Sequence, residues 1–129
     1  VSFDESRFSI TEQALDASTS VFSVAGEIHV TTAPQFGAVL TEAVARGRTS
    51  MVIDLTAVGF IDSTGLSVLL TALRGVTRAG GRMALVCSNP TVLRLFEITR
   101  LDATFAIHAE LEPACQAVQG AGSSTSGIP

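Results

Sequence analysis

Between Met51 and Leu73, MVIDLTAVGFIDSTGLSVLLTAL, the spacing of apolar positions changes character. Met51, Val52, Ile53 and Leu55 form a short, nearly continuous apolar run, the pattern of a strand covered on both faces of a parallel sheet. Ala57 to Ile61 reads as a tight loop crossing the sheet's carboxyl edge. Leu66, Leu69, Leu70 and Leu73 then recur at i, i+3, i+4 and i+7, the stripe of a helix turned to a core. Asp62-Ser63-Thr64 stands where that helix must begin.

The rest of the chain fits around this unit. Phe8 to Leu15 alternates as a strand, Asp16 to Thr19 is a turn, and Ser20 to Ile28 is a second strand, giving an antiparallel hairpin. A helix is predicted from Thr31 to Arg46, with Thr31 or Thr32 as cap, Pro34 in its first turn and Phe36, Val39, Leu40, Ala43 and Val44 on one face. The central helix stops at Ala79-Gly80-Gly81. Arg82 to Cys87 is an apolar strand, and Asn89-Pro90 opens a helix to about Arg100. Thr104 to Ile107 is a last strand and Glu110 to Val118 a last helix. Val1 to Arg7 reads as a loose lead-in, and 120–129, rich in Gly, Ser and Thr, as a flexible tail after a domain spanning 1–119. The order β-β-α-β-α-β-α-β-α implies a single α/β domain whose sheet is mostly parallel with one antiparallel strand.

Composition narrows the class. A chain of 129 residues, 47% hydrophobic, suffices for one domain with a real core, and with neither Trp nor Tyr that core is mostly aliphatic. No apolar run is long enough to span a bilayer and no basic-then-apolar leader is present, so the expectation is a cytoplasmic protein without a membrane partner. All basic residues are Arg, they form no phosphate-tracking stripe, and the net charge is −4, which argues against nucleic acid. Cys87 and Cys115 lie far apart without metal-ligand spacing and are expected as free thiols.

The catalytic inventory is thin. Phosphate-binding glycine loops and a nucleophile elbow are absent, and neither His29 nor His108 has a ligand partner at metal-binding spacing, so no cofactor and no metal are expected. Both histidines follow strands, which leaves a Ser–His arrangement with Ser63, and hence a small hydrolase, as an open alternative. Asp, Ser and Thr at a helix start are ordinary capping residues. A hydroxyl there is also a place where the helix dipole and free N–H groups tolerate a phosphate. The residues alone leave both readings standing.

VIDLTAVGFIDSTGLSVLL resembles the strand–loop–helix signature of STAS domains, specifically the bacterial anti-sigma factor antagonists. Gly26-Glu27-Ile28 with Thr31-Thr32-Ala33-Pro34 is similar to that family's second motif, and Ala79-Gly80-Gly81-Arg82 through Phe96 to its third; the likeness covers about residues 8–118. It implies a non-enzymatic protein that binds an anti-sigma factor, often itself an ATP-dependent serine kinase, and so frees a sigma factor. It implies phosphorylation on Ser63, reversal by a phosphatase, and a partner-facing edge comprising Glu27, His29, Thr31, Asp62, Ser63, Thr64 and Gly65. One residue departs: the family usually has aspartate where His29 stands. A STAS module of another assembly, in lipid transport or stress sensing, is the alternative within the same resemblance.

Overall fold

The computed structural model describes residues 8–127; the lead-in expected at Val1 to Arg7 lies outside them. Strands β1 (Ser9–Ala14), β2 (Thr19–Ile28), β3 (Ser50–Ile61), β4 (Met83–Val86) and β5 (Ala106–His108) form one sheet in chain order. β1 runs antiparallel to β2 and every other neighbouring pair is parallel. Helices α1 (Ala33–Ala45), α2 (Ser63–Arg78) and α3 (Pro90–Ile98) are the crossovers between the parallel strands, and α4 (Leu111–Gly127) closes the chain. The expected α/β architecture is the one observed.

Each face of the sheet is covered. The larger core joins Phe22, Val24 and Ile28 of β2 and Ile53, Leu55, Val58 and Ile61 of β3 to Phe36 and Leu40 of α1, Leu66 and Leu69 of α2, and Phe96 of α3. A smaller cluster, Val21, Val52, Ala84, Val86, Ala114 and Val118, seats α4 on the opposite face. This two-sided burial is why β3 opens with an unbroken apolar run.

The segment Ala57 to Ile61 is strand rather than loop. β3 stays paired with β2 up to Ile61, but the register slips between Ser23 and Ala25 and again between Gly26 and Glu27, each time by one extra residue on β3. Each bulge flips the side-chain parity, so Leu55, Val58 and Ile61 all face the larger core at a spacing of three. That spacing hides the strand from an alternation reading. Two smaller differences occur late in the chain. A 3-10 turn, Leu101–Ala103, precedes β5, and the backbone of α4 continues helically to Gly127, through most of the stretch expected as a tail. No proline follows Pro113 before Pro129, so nothing in between removes an N–H from the helical hydrogen-bond ladder. Both cysteines are free, Cys87 buried in the larger core and Cys115 beside the smaller one.

Candidate functional site

The carboxyl edge of the sheet is fixed by the junction of β3 and α2. Asp62 is the N-cap: its backbone is extended and its Oδ1 accepts the Gly65 N–H at 3.1 Å, while its carbonyl accepts from Leu66. Its own N–H donates to the Ile28 carbonyl at 3.1 Å, tying the helix start to the end of β2. Gly65 permits that approach. A Cβ there would lie 2.7 Å from Ile28 Cγ2 and Ile61 Cγ1 and 3.1 Å from the Ile28 carbonyl oxygen. Only glycine lets the first turn of α2 sit this close to two strand ends.

Ser63 is the first residue of α2 and is exposed; Thr64 is half-buried. The cap residue takes up the N–H groups of Gly65 and Leu66, which leaves those of Ser63 and Thr64 without an intrahelical acceptor. Partial positive charge therefore collects next to an exposed hydroxyl.

The turn after β2 supplies the other half of the edge. Thr32, one of the two expected cap residues, occupies the N-cap position of α1, but its hydroxyl turns backward instead of capping. It donates to the Glu27 carbonyl at 2.7 Å and accepts the His29 N–H at 3.0 Å. Glu27, His29 and Thr31 are held in one tight turn as a result. His29 Nδ1 accepts from the Thr31 N–H at 3.2 Å, and Nε2 lies 3.6 Å from Glu27 Oε1. The imidazole stands 6.5 Å from the Phe60 ring, and Phe60 pairs in register with Glu27. All seven residues picked from the sequence thus meet at one edge.

Sequence reasoning missed Val30 and Phe60. They are 68% and 44% exposed, two of the four large apolar side chains most open to solvent among the described residues. The signal was available: Val30 directly follows the Glu27-Ile28-His29 motif, and Phe60 stands two residues before Asp62. What concealed Phe60 was the reading of Ala57 to Ile61 as a loop, in which no residue has an assigned outward side.

The Ser–His alternative finds no geometry here. His29 is engaged with Thr31 and Glu27, and among the described residues no hydrogen bond joins Ser63 to either histidine. His108 ends β5, two strand spacings or about 10 Å across the sheet from β3, beyond reach of a proton transfer. Among the described residues no group of three His, Cys, Asp or Glu side chains is placed to hold a metal ion, and no helix is long and apolar enough to cross a membrane.

The family model of the STAS domain matches residues 11–114. The chain is similar to the anti-sigma-F factor antagonist RsfB of Mycobacterium tuberculosis, 32% identical over 78% of this chain and 82% of that one. It is also similar to the anti-sigma-B factor antagonist of Bacillus subtilis, 34% identical over 73% of this chain and 85% of that one. Among solved structures, an anti-sigma factor antagonist from Mycobacterium paratuberculosis superimposes with a TM-score of 0.78 at 30% identity, covering 88% of this chain and 96% of that one.

Proposed function

The chain belongs to the STAS domain family, and from that premise we propose that it is an anti-sigma factor antagonist whose carboxyl edge docks on an anti-sigma factor that is also a serine kinase. Docking withdraws the anti-sigma factor from its sigma factor. Phosphorylation of Ser63 ends the docking and a phosphatase restores it. The observation that carries this reading is an exposed Ser63 at the first turn of α2, on an edge that also exposes Val30 and Phe60.

The physical steps follow from that placement. Unmodified, the edge offers two apolar side chains and a neutral hydroxyl beside its polar groups, and those three a partner can desolvate at little cost. In the partner's active site the Ser63 Oγ attacks the γ-phosphorus of ATP, the hydroxyl proton passes to a base of the kinase, and ADP leaves. The product carries nearly two negative charges beside Asp62. The N–H groups of Ser63 and Thr64 have no intrahelical acceptor and can donate to the phosphate, so the fold tolerates the modification. A partner surface shaped for the neutral Ser63 hydroxyl must desolvate that dianion, at a cost of about 2–5 kcal/mol. In the phosphatase water attacks the phosphorus, the bond to Ser63 Oγ breaks, inorganic phosphate leaves, and Oγ regains a proton as the hydroxyl.

Glu27, His29, Thr31 and Thr64 are the remaining polar contacts of the edge in this reading, while Asp62 and Gly65 position it. His29 replaces an acidic residue by an imidazole, so a partner cation matched to aspartate lacks its counter-charge, and the partner of this chain is expected to differ at that point.

The test is incubation of the full chain with ATP and serine-kinase anti-sigma factors of the same genome, with any added phosphate located by mass spectrometry. Phosphate on Ser63 with weaker binding afterwards is the predicted result. Phosphate confined to Thr64, or binding that survives modification of Ser63, overturns the switch.

A further inference from the structure

α2 has a second flank, independent of the Ser63 edge. α1 packs along one side of α2, whereas α3 makes its main packing on β3 and on the 3-10 turn. The gap on that side is a pocket of about 680 Å³ lined by Leu70, Leu73, Arg74, Thr77, Arg78 and Thr104. Leu70 and Leu73 are half-buried and give it an apolar wall one turn long; Arg74 and Arg78 are exposed. Among the described residues no carboxylate lines it.

The two arginines, in the last turns of α2, differ from Arg46 and Arg48, which follow α1 at the same amino end of the sheet. Arg46 and Arg48 are both engaged with protein acceptors, whereas Arg74 and Arg78 have no hydrogen-bond or ion-pair partner among the described residues. They sit four residues apart on one helix, about 6 Å from each other. In a chain of net charge −4, a carboxylate-free apolar groove with two unpaired guanidiniums at its rim is a local reversal of sign.

From this we propose that the groove between α2 and the α3–β5 connection is a docking site for an acidic amphipathic helix of a partner protein. Leu70 and Leu73 receive the partner's apolar stripe, and Arg74 and Arg78 pair with carboxylates one turn apart beside it. The segment Leu70–Arg78 is about 12 Å long, enough for two turns of such a helix. Charge complementarity selects the occupant: an apolar helix lacking carboxylates leaves both guanidiniums unmatched, and a basic one is repelled. The site lies on the flank of α2 and not at its start, so it can be filled while Ser63 is free or phosphorylated.

The full chain, labelled with ¹⁵N, is titrated with a short synthetic helical peptide bearing a leucine stripe flanked by glutamates at i and i+4, and with the same peptide carrying glutamine in their place. Amide shifts are expected at Leu70, Leu73, Arg74, Thr77, Arg78 and Thr104. Affinity should fall about tenfold or more with the glutamine peptide, and likewise with Arg74→Glu/Arg78→Glu protein. Arg74→Gln/Arg78→Gln, checked by thermal melting, keeps the test valid if charge reversal perturbs folding, and should show the smaller loss. Equal affinity for both peptides, shifts confined to other surfaces, or no binding overturns the proposal. So does binding to phosphatidylserine vesicles, but not to the peptide, that the arginine substitutions abolish.

Discussion

The two ends of the sheet handle polar groups in opposite ways. At the amino end Arg48 donates from Nε to Ser20 Oγ at 2.9 Å and from its terminal nitrogens to the carbonyls of Ala17, Asp16 and Thr19 at 2.6 Å each. Ser20, fully buried, donates to Glu12 Oε2, and Arg46 pairs with Glu12 Oε1 at 2.8 Å. Gly81 lies where any Cβ would collide with the Thr49 carbonyl. At the carboxyl end the side-chain contacts are mostly local, Asp62 capping α2 and Thr32 gathering Glu27 and His29, with the Asp62 N–H to the Ile28 carbonyl and the Asn89 side chain to the Val58 carbonyl as the links between segments. Ser63 is exposed, and Val30 and Phe60 face water. The amino end is cross-linked between distant segments and closed; the carboxyl end is shaped but open. Fold stability and partner binding are therefore expected to separate along the sheet.

The largest predicted effect is on binding at the open end. Ser63→Asp places a charge on the first turn of α2 and should weaken anti-sigma factor binding about tenfold or more, in line with a charge forced into an interface. Aspartate is well tolerated at a helix start, so the melting temperature should hardly change. Isothermal titration beside a thermal melt checks both, and a large loss of stability would break the separation.

Next is Arg48→Ala, which removes four donated hydrogen bonds; Ser20 keeps Glu12 and the Thr19 carbonyl keeps the Leu15 N–H, while the Asp16 and Ala17 carbonyls lose their Arg48 donor. Stability should fall by about 1–3 kcal/mol in urea unfolding, with partner affinity unchanged. Gly65→Ala tests the one place where the ends should not separate. Its methyl must displace Ile28 or Ile61, at about 1–3 kcal/mol, and because it moves the Ser63 turn it should weaken binding too.

The smallest effect is acid sensitivity. Burial raises the Glu12 carboxyl, but hydrogen bonds from Ser20 and Arg46 and the charges of Arg46 and Arg48 outweigh it, leaving the group below its ordinary value of 4.5. Asp16 lies below 3.8, chiefly through the Ser18 N–H and the Gln119 side chain. A lowered carboxyl stabilises the fold above its unfolded value, and the gain is lost as pH falls through the folded one. Stability should thus decline as pH falls below about 4.5, and Glu12→Gln should flatten that decline in melts taken across the range. Both groups sit at the amino end, so acid should loosen that end first.

Much of this contrast was readable before any coordinates. The apolar run from Met51, the leucine stripe of α2 and the Asp62 cap are local patterns, set by period and by capping chemistry, and they appear where predicted. Asn89-Pro90 opens α3 in the same way, with the Asn89 side chain accepting from Thr91. The end of β3 was hidden because its two bulges are properties of pairing with β2, and they turn an alternating pattern into spacings of three. Of the two expected cap residues, Thr31 and Thr32, it is Thr32 that holds the cap position, yet its hydroxyl serves the strand end, a choice made by the turn around Glu27 and His29. The arginine network at the amino end joins residues about 30 apart in sequence, a separation at which no local pattern reports contact.

The most direct measurement compares the affinity of a serine-kinase anti-sigma factor for the chain before and after stoichiometric phosphorylation of Ser63, with melting curves of both forms. The account predicts that binding falls by about 30-fold or more while the melting temperature stays the same. Retained affinity with phosphate on Ser63, or lost affinity accompanied by unfolding, would contradict it.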